Sequence, residues 1–471
     1  MGSLKEMEEK RMEKTWIEKA AEVVPSSRQI ALNCMEFYGF VHFGLYTFDR
    51  EHEFQTGPAI FNPVHFDARQ WAKAYKSAGM TGLLLTCKHH EGFCLWPSKY
   101  TEFSVKNSPW KDGKGDIVKE VSEACREEGL KFGVYLSPWD VHEETYGTPA
   151  YNDYFCNQLT ELCSNYGELF CVWFDGACRT ADKVQCYDWD RYYALIRKLQ
   201  PNACISICGP DVRWIGNEAG ESREEEWSVV PKSIMVTERN PGYWRQLDTM
   251  PNSTWKDIGS RDFIKDYDKL IWYPAEVDVS IRPSWGYVEG EEKQLYSLET
   301  LLYMYEKAVG GNATLLLNVP PNKEGLFDLE DVERLAELGK AIRGLFSRPQ
   351  TTGAKAFQKN GSNAEAILDA DRTHFVELAG ECQEIEIQLQ GEHTIDFIVL
   401  KETIEKGQRV EKFAVDIWRE DQWKEVYQAT TIGYQRFGRI EPVQTERVRV
   451  RILESRGTVY LTEIGLYHTE K

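Results

Sequence analysis

The chain has 471 residues, with 56 Lys and Arg against 75 Asp and Glu, a formal net charge of −19. Hydrophobic residues make up 42% and charged residues 28%, the composition of a globular protein large enough for a full core. The acidic balance argues against nucleic acid or an anionic membrane surface as the main partner, and no apolar run approaches the roughly 20 residues that span a bilayer.

The first 30 residues read as a helical segment that packs outside the main domain or frays. They carry no apolar core of a signal peptide, and a myristoylation pattern fails at Glu6. As it stands the chain reads as cytoplasmic, or as secreted or periplasmic if a leader preceded it. Short apolar runs then recur at 37–43, 83–88, 132–138, 170–174, 203–208, 233–238, 270–275 and 314–319. Amphipathic stretches separate most of them, among them 68–78, 117–128, 151–166, 187–199 and 297–309. Strand alternating with helix at this spacing predicts βαβ units and a parallel sheet. Eight runs fit an α/β fold, a (β/α)8-like TIM barrel over residues 31–347. A doubly wound sheet is the alternative, but no Gly-rich phosphate loop follows any run.

A last helix is predicted over 329–345, with Val332, Leu335, Leu338 and Ile342 on one face. The sequence SRPQTTG breaks the pattern, and the period changes to two at 384–389, 413–418 and 447–452. Residues 350–471 therefore read as an antiparallel β-sandwich. Its last strand, 458–467, resembles discoidin-like sandwiches, so the domain is either a structural unit or a carbohydrate-binding module.

Of the 12 cysteines, only Cys382 lies beyond residue 210, and none forms a CxxC pair. Their spacing fits no common zinc pattern and predicts buried, reduced thiols. The chain also has 15 Trp and 23 Tyr, flat faces that suit the apolar faces of sugars but equally a large core.

In parallel barrels the active site gathers at the C-terminal strand ends. The runs end in His42-Phe-Gly, in Lys88-His89-His90-Glu91-Gly-Phe, in Tyr135-Leu-Ser-Pro-Trp139 and in Trp173-Phe-Asp175-Gly. After the fifth come Asp211, Arg213, Trp214 and Glu218, and the seventh ends at Glu276. Asp175 could cap a helix, yet the next helical pattern starts only near Tyr187, which favours a catalytic carboxylate. Three histidines converge on the same mouth. Their pattern is not that of a metal site, and adjacent His89 and His90 are expected on opposite faces of a strand. No metal ligand set is therefore expected, and hydrogen bonding to a polar substrate suits these histidines better.

Three segments now carry a family resemblance: His42-Phe43-Gly44, the long run from Lys88 to Val105 (KHHEGFCLWPSKYTEFSV), and Trp173-Phe174-Asp175-Gly176. Together they resemble glycoside hydrolase family 29, the α-L-fucosidases. One departure is Glu91, where Asp is expected in most members. The resemblance implies a retaining exo-fucosidase that needs no cofactor, with Asp175 as nucleophile. The segment RWIGNEAG (213–220), with Glu226-Trp-Ser-Val-Val-Pro231, resembles the subfamily specific for α-1,3/4-linked fucose, which places the acid/base on Glu218. That residue is expected partly buried beside Trp214. Glu276 is the competing acid/base.

By the same resemblance His42, His89, His90, Tyr135 and Glu53 bind sugar hydroxyls. Trp285, Trp96 and Trp173 line the pocket. Independently of the resemblance, loop carboxylates such as Asp211 or Glu221 are candidates to hold a galactose of a Lewis-type glycan. The expected partner is a fucosylated oligosaccharide or glycoconjugate. A broad-specificity fucosidase, a transfucosidase, a metal-dependent hydrolase and a non-catalytic glycan-binding protein are the alternatives.

Overall fold

The computed structural model describes residues 16–52, 54–177, 183–235, 253–380 and 383–469. Its main sheet holds eight strands: β1 (Phe37–Val41), β2 (Gly82–Lys88), β3 (Lys131–Leu136), β4 (Leu169–Phe174), β5 (Cys204–Ile207), β6 (Arg213–Trp214), β9 (Ala275–Ser280) and β10 (Ala313–Asn318). The pairs are parallel, in the order β5-β4-β3-β2-β1-β10-β9-β6. A parallel bridge between Ser206 and Val212 joins the two ends, so the sheet is a nearly closed barrel. Strands β1, β2 and β10 are buried along their whole length. Helices cover one face and the barrel interior the other, which is why these strands read as unbroken apolar runs.

The outer helices start where the sequence supplies an acceptor for their orphan N–H groups. Asp67 caps Ala68–Ser77, Asp116 caps Ile117–Glu128, Asp188 caps Trp189–Leu199 and Ser297 caps Leu298–Val309. Gly129, at φ 77°, ends the second of these in the left-handed region that glycine enters at least cost. Ala150–Asn165 and Leu329–Leu345 complete the layer.

Two predicted strands are corrected. The described part of 233–238 falls in a short 3-10 turn, Lys232–Ile234, and 236–238 lie outside the described residues. The sixth barrel strand is instead the two-residue β6, too short to show a period. Leu270–Trp272 is β8, which pairs antiparallel with β7 (Val229–Pro231) beside the barrel. The seventh barrel strand is β9, and its sequence AEVDVS hides it, because Glu276 and Asp278 interrupt the apolar run.

The C-terminal domain has β11 (Lys355–Gln358), β12 (Val376–Leu378), β13 (Glu384–Glu402), β14 (Val410–Arg419), β15 (Gln422–Ala429), β16 (Arg436–Ser455) and β17 (Val459–Tyr467). All pairings are antiparallel. The long strands β13 and β16 break register between Gln388 and His393 and again between Ile395 and Phe397. Each therefore bends from one layer into the other. Residues from both layers, such as Ile385, Ile398, Val415, Val450 and Ile464, share one core. In the second half of β13 the opposite face is also buried. Phe397 and Val399, with Phe437, join the core of the barrel domain.

Candidate active site

The barrel interior is lined by Tyr38, Phe40, Tyr135, Trp173 and Leu316. Above this layer, Asp175 directly follows β4 and is half-buried. Its Oδ2 accepts a hydrogen bond from the Tyr135 hydroxyl at 3.0 Å, and its Oδ1 accepts the Ala177 N–H at 2.6 Å. The Tyr135 ring stacks on Trp173, with centroids 5.2 Å apart and planes 23° apart. Burial, and next the Asp175 charge, push the Tyr135 hydroxyl up, so it stays a phenol and donates.

The three histidines stand together. His42 and His89 have ring centroids 5.7 Å apart, and His89 and His90 4.1 Å apart. The expectation that His89 and His90 face opposite ways is corrected: β2 ends at Lys88, so both belong to the loop beyond it. Each ring has a partner on its Nδ1 side. His42 Nδ1 is 2.8 Å from Asn318 Oδ1, while Asn318 Nδ2 donates to Ser280 Oγ and to the Trp285 carbonyl. The amide orientation is thereby fixed, and His42 Nδ1 carries the proton. Burial, with His89 adding to it, pushes His42 down to about 3, so it is neutral at any working pH. His90 Nδ1 is 2.7 Å from Ser137 Oγ, whose own proton goes to the Trp139 carbonyl, so His90 Nδ1 donates as well. His90 Nε2 lies 3.8 Å from Asp175 Oδ2.

Two more carboxylates point into the barrel from β9, two residues apart and hence on one face. Glu276 accepts the Trp173 indole N–H at 2.7 Å and the Tyr38 hydroxyl. Burial pushes it up to about 7 against these hydrogen bonds. Asp278 accepts the Trp214 indole N–H at 2.7 Å. Burial first, then Glu276 and Glu218, hold it well above the usual carboxylate range. Glu218 is exposed in the loop after β6 and accepts the Trp285 indole N–H at 3.1 Å. Its partner is thus Trp285 rather than Trp214, and the expected partial burial is not found. Among the described residues no group of three His, Cys, Asp or Glu side chains is placed to hold a metal ion.

The sequence model of the alpha-L-fucosidase family matches residues 13–343. Alpha-L-fucosidase 1 of Arabidopsis thaliana is 35% identical, over 94% of this chain and 87% of its own. The chain belongs to the α-L-fucosidase family, glycoside hydrolase family 29. The crystal structure of a Bacteroides ovatus protein superposes with a TM-score of 0.88 at 42% identity, covering 98% of this chain and 76% of that one. A Ruminococcus gnavus family 29 fucosidase in complex with fucose gives 0.83 at 29% identity, covering 96% of each chain.

In this fucosidase the structure brings together His42, His89, His90, Tyr135, Trp173, Asp175, Glu218 and Trp285. Trp96 is elsewhere. It is buried in the core between barrel wall and outer helices, and its indole N–H goes to Glu161 at 2.8 Å. Glu53 lies outside the described residues. Asp211 does not hold a galactose: its carboxylate is 2% exposed as a residue and accepts from Arg28 at 3.0 Å, from the Ile205 N–H at 2.8 Å and from Arg197. Glu221 is exposed near Tyr303, 3.5 Å from its hydroxyl.

Sequence reasoning did not single out Tyr38, Ser137, Asp278 or Asn318. For Asp278 a signal existed: acidic residues alternating with valine on a barrel strand must place carboxylates on one face.

Proposed function

We propose that the enzyme is a retaining exo-α-L-fucosidase that removes terminal α-1,3- or α-1,4-linked fucose from Lewis-type glycans. Asp175 serves as nucleophile and Glu218 as acid/base. The observation that carries this reading is the placement of Asp175. It is an oriented carboxylate at a strand end, held by Tyr135 and the Ala177 N–H and ringed by histidines that can bind hydroxyls. Specificity rests on a second observation. The Gly-Asn-Glu loop, which resembles that of the α-1,3/4 subfamily, meets the pocket residue Trp285 through the Trp285–Glu218 hydrogen bond.

In the first step an Asp175 oxygen bonds to the anomeric carbon as the glycosidic C–O bond breaks, and Glu218 gives its proton to the departing oxygen. In the second, Glu218 takes a proton from water, whose oxygen attacks the same carbon and displaces Asp175. Two inversions return L-fucose with its configuration retained. Trp285 packs against the apolar C6 side of the sugar, and His42, His89 and His90 bind its hydroxyls. The bound glycan itself covers Glu218 and removes it from water.

The test is fucose release from Lewis a and Lewis x trisaccharides, with 2′-fucosyllactose and an aryl α-L-fucoside alongside, following the first-formed anomer by NMR. Release of α-fucose from the Lewis sugars, with little from 2′-fucosyllactose, is expected. Strong turnover of 2′-fucosyllactose would move the enzyme to the broader specificity and reopen Glu276 as the acid. First-formed β-fucose would refute retention.

A further inference from the structure

Glu91 is the residue at which the loop after β2 departs from the expected Asp, and the mechanism above leaves it without a role. It is 3% exposed. Neither of its carboxylate oxygens accepts a hydrogen bond from any described residue. A buried carboxylate with no formed hydrogen bond is costly, so its presence here needs a reason. Its Oε2 lies 3.4 Å from His89 Nδ1. On its other side the backbone packs closely, since a Cβ at Gly44 would meet Glu91 Oε1 at 2.9 Å and the Tyr46 ring at 2.8 Å.

The other two histidines show what this contact does. His42 is held through Nδ1 by Asn318, and His90 through Nδ1 by Ser137. In each case the protein fixes the proton on Nδ1 and so leaves Nε2 as the nitrogen with a lone pair. Glu91 stands on the same side of the third ring, and of the three anchors it alone is a carboxylate. The ring of His89 is further confined by Tyr135, at 5.8 Å and 16°, and edge-on by Tyr46 at 5.1 Å.

We propose that Glu91 is a positioning residue for substrate binding: it keeps the His89 proton on Nδ1 and sets the ring so that Nε2 is the nitrogen that meets a fucose hydroxyl. A carboxylate in this place orients an imidazole and fixes its tautomer. The proposal rests on the reading that His89 contacts the sugar.

The experiment is a double-mutant cycle on L-fucose affinity, measured by calorimetry on the full chain, with Glu91→Gln, His89→Asn and both together. His89→Asn is expected to weaken fucose binding 10-fold or more. Glu91→Gln is expected to weaken it about 10-fold in the wild type, to raise KM more than it lowers kcat, and to have no further effect beside His89→Asn. The shorter carboxylate of Glu91→Asp is expected to restore most of the affinity.

Unchanged affinity in His89→Asn would overturn the sugar-contact reading, and the proposal with it. A normal loss in His89→Asn, with Glu91→Gln costing the same in both backgrounds or nothing in either, would overturn the proposal alone. A readout without variants of Glu91 guards against misfolding: 15N shifts of the His89 ring, assigned with His89→Asn, are expected to show protonated Nδ1 from pH 5 to 8. Nδ1 found unprotonated there would also overturn it.

Discussion

Replacing Tyr135 by Phe removes one oxygen from the site and leaves the rest of the side chain in place. The ring keeps its stack on Trp173, at 5.2 Å and 23°, and its packing on Phe40, at 5.9 Å. What goes is the hydroxyl that donates to Asp175 Oδ2 at 3.0 Å. A hydrogen bond to an ionised group contributes roughly 1.5–3 kcal/mol. At about 1.36 kcal/mol per factor of ten, that is a fall of about 10- to 150-fold in kcat/KM if the bond orients Asp175 for attack. The loss is expected mainly in kcat, because the bond acts on the reacting carboxylate and not on the sugar. The assay is steady-state hydrolysis of an aryl α-L-fucoside, with thermal melts of both proteins. A kcat/KM within twofold of wild type would refute the role given to this hydroxyl. A melting point lower by many degrees would instead make Tyr135 a structural residue.

Glu276, raised from 4.5 to about 7 by burial, keeps its proton in the folded state over a range where the unfolded chain has lost it. Stability owed to this group therefore falls as pH rises from about 4.5 to 7. Glu276→Gln lacks that fall, so denaturant melts at pH 5 and pH 8 are expected to shift in the variant's favour by on the order of 3 kcal/mol at the higher pH, and a gap independent of pH would contradict the assignment. Lys88→Met strands Asp140 in the interior, since Lys88 Nζ meets Asp140 Oδ2 at 2.7 Å with side chains 0% and 1% exposed. Breaking such a pair costs roughly 3–5 kcal/mol, and because the Val141 N–H donates to the His90 carbonyl beside it, fucoside hydrolysis should fall with stability. Glu402→Gln turns a carboxylate that accepts three backbone N–H groups, from Arg409, Val410 and Gly433, into an amide that meets one of them with its own donors. A loss of about 1–3 kcal/mol is expected, and an unchanged melting point would show that the C-terminal domain does not depend on this clamp.

The parallel barrel was legible because most of its strands are buried on both faces and its outer helices carry caps and an apolar stripe. The sandwich was legible where only one face is buried, as at 384–389. Legibility failed where the barrel departs from its own rule. Arg213–Trp214 is too short for any period, and β9 exchanges apolar residues for Glu276 and Asp278. The same exchange hid part of the candidate site. Asp175 could be found, because a carboxylate closing an apolar run stands out. Asn318 and Ser137 could not, because their roles depend on which histidine nitrogen they face. Trp96 misled for the opposite reason. It sits in a segment rich in site residues, yet its side chain turns to the outer core, and linear proximity carries no information about that direction.

The chain between β6 and β9 carries Glu218 but, among the described residues, has only the four-residue helix Arg261–Ile264 where a crossover helix would stand. Its backbone polar groups still need partners, and the C-terminal domain supplies them. Gln408 accepts from the Ser228 N–H at 2.8 Å and donates to the Glu226 carbonyl at 2.9 Å, which mimics a strand pairing with one side chain. Thr430 and Arg436 donate to the Glu224 carbonyl, each at 2.8 Å. Arg456 donates to the Gly259 carbonyl at 2.6 Å and covers the Trp227 ring at 3.5 Å. Inside the segment, the buried Glu226 carboxylate lies between Arg213 of β6 and Arg223. Where the described residues show no long helix, the second domain closes this side of the barrel. The sandwich is therefore part of the wall that supports the Glu218 loop, and it meets that wall through backbone carbonyls and the Trp227 ring.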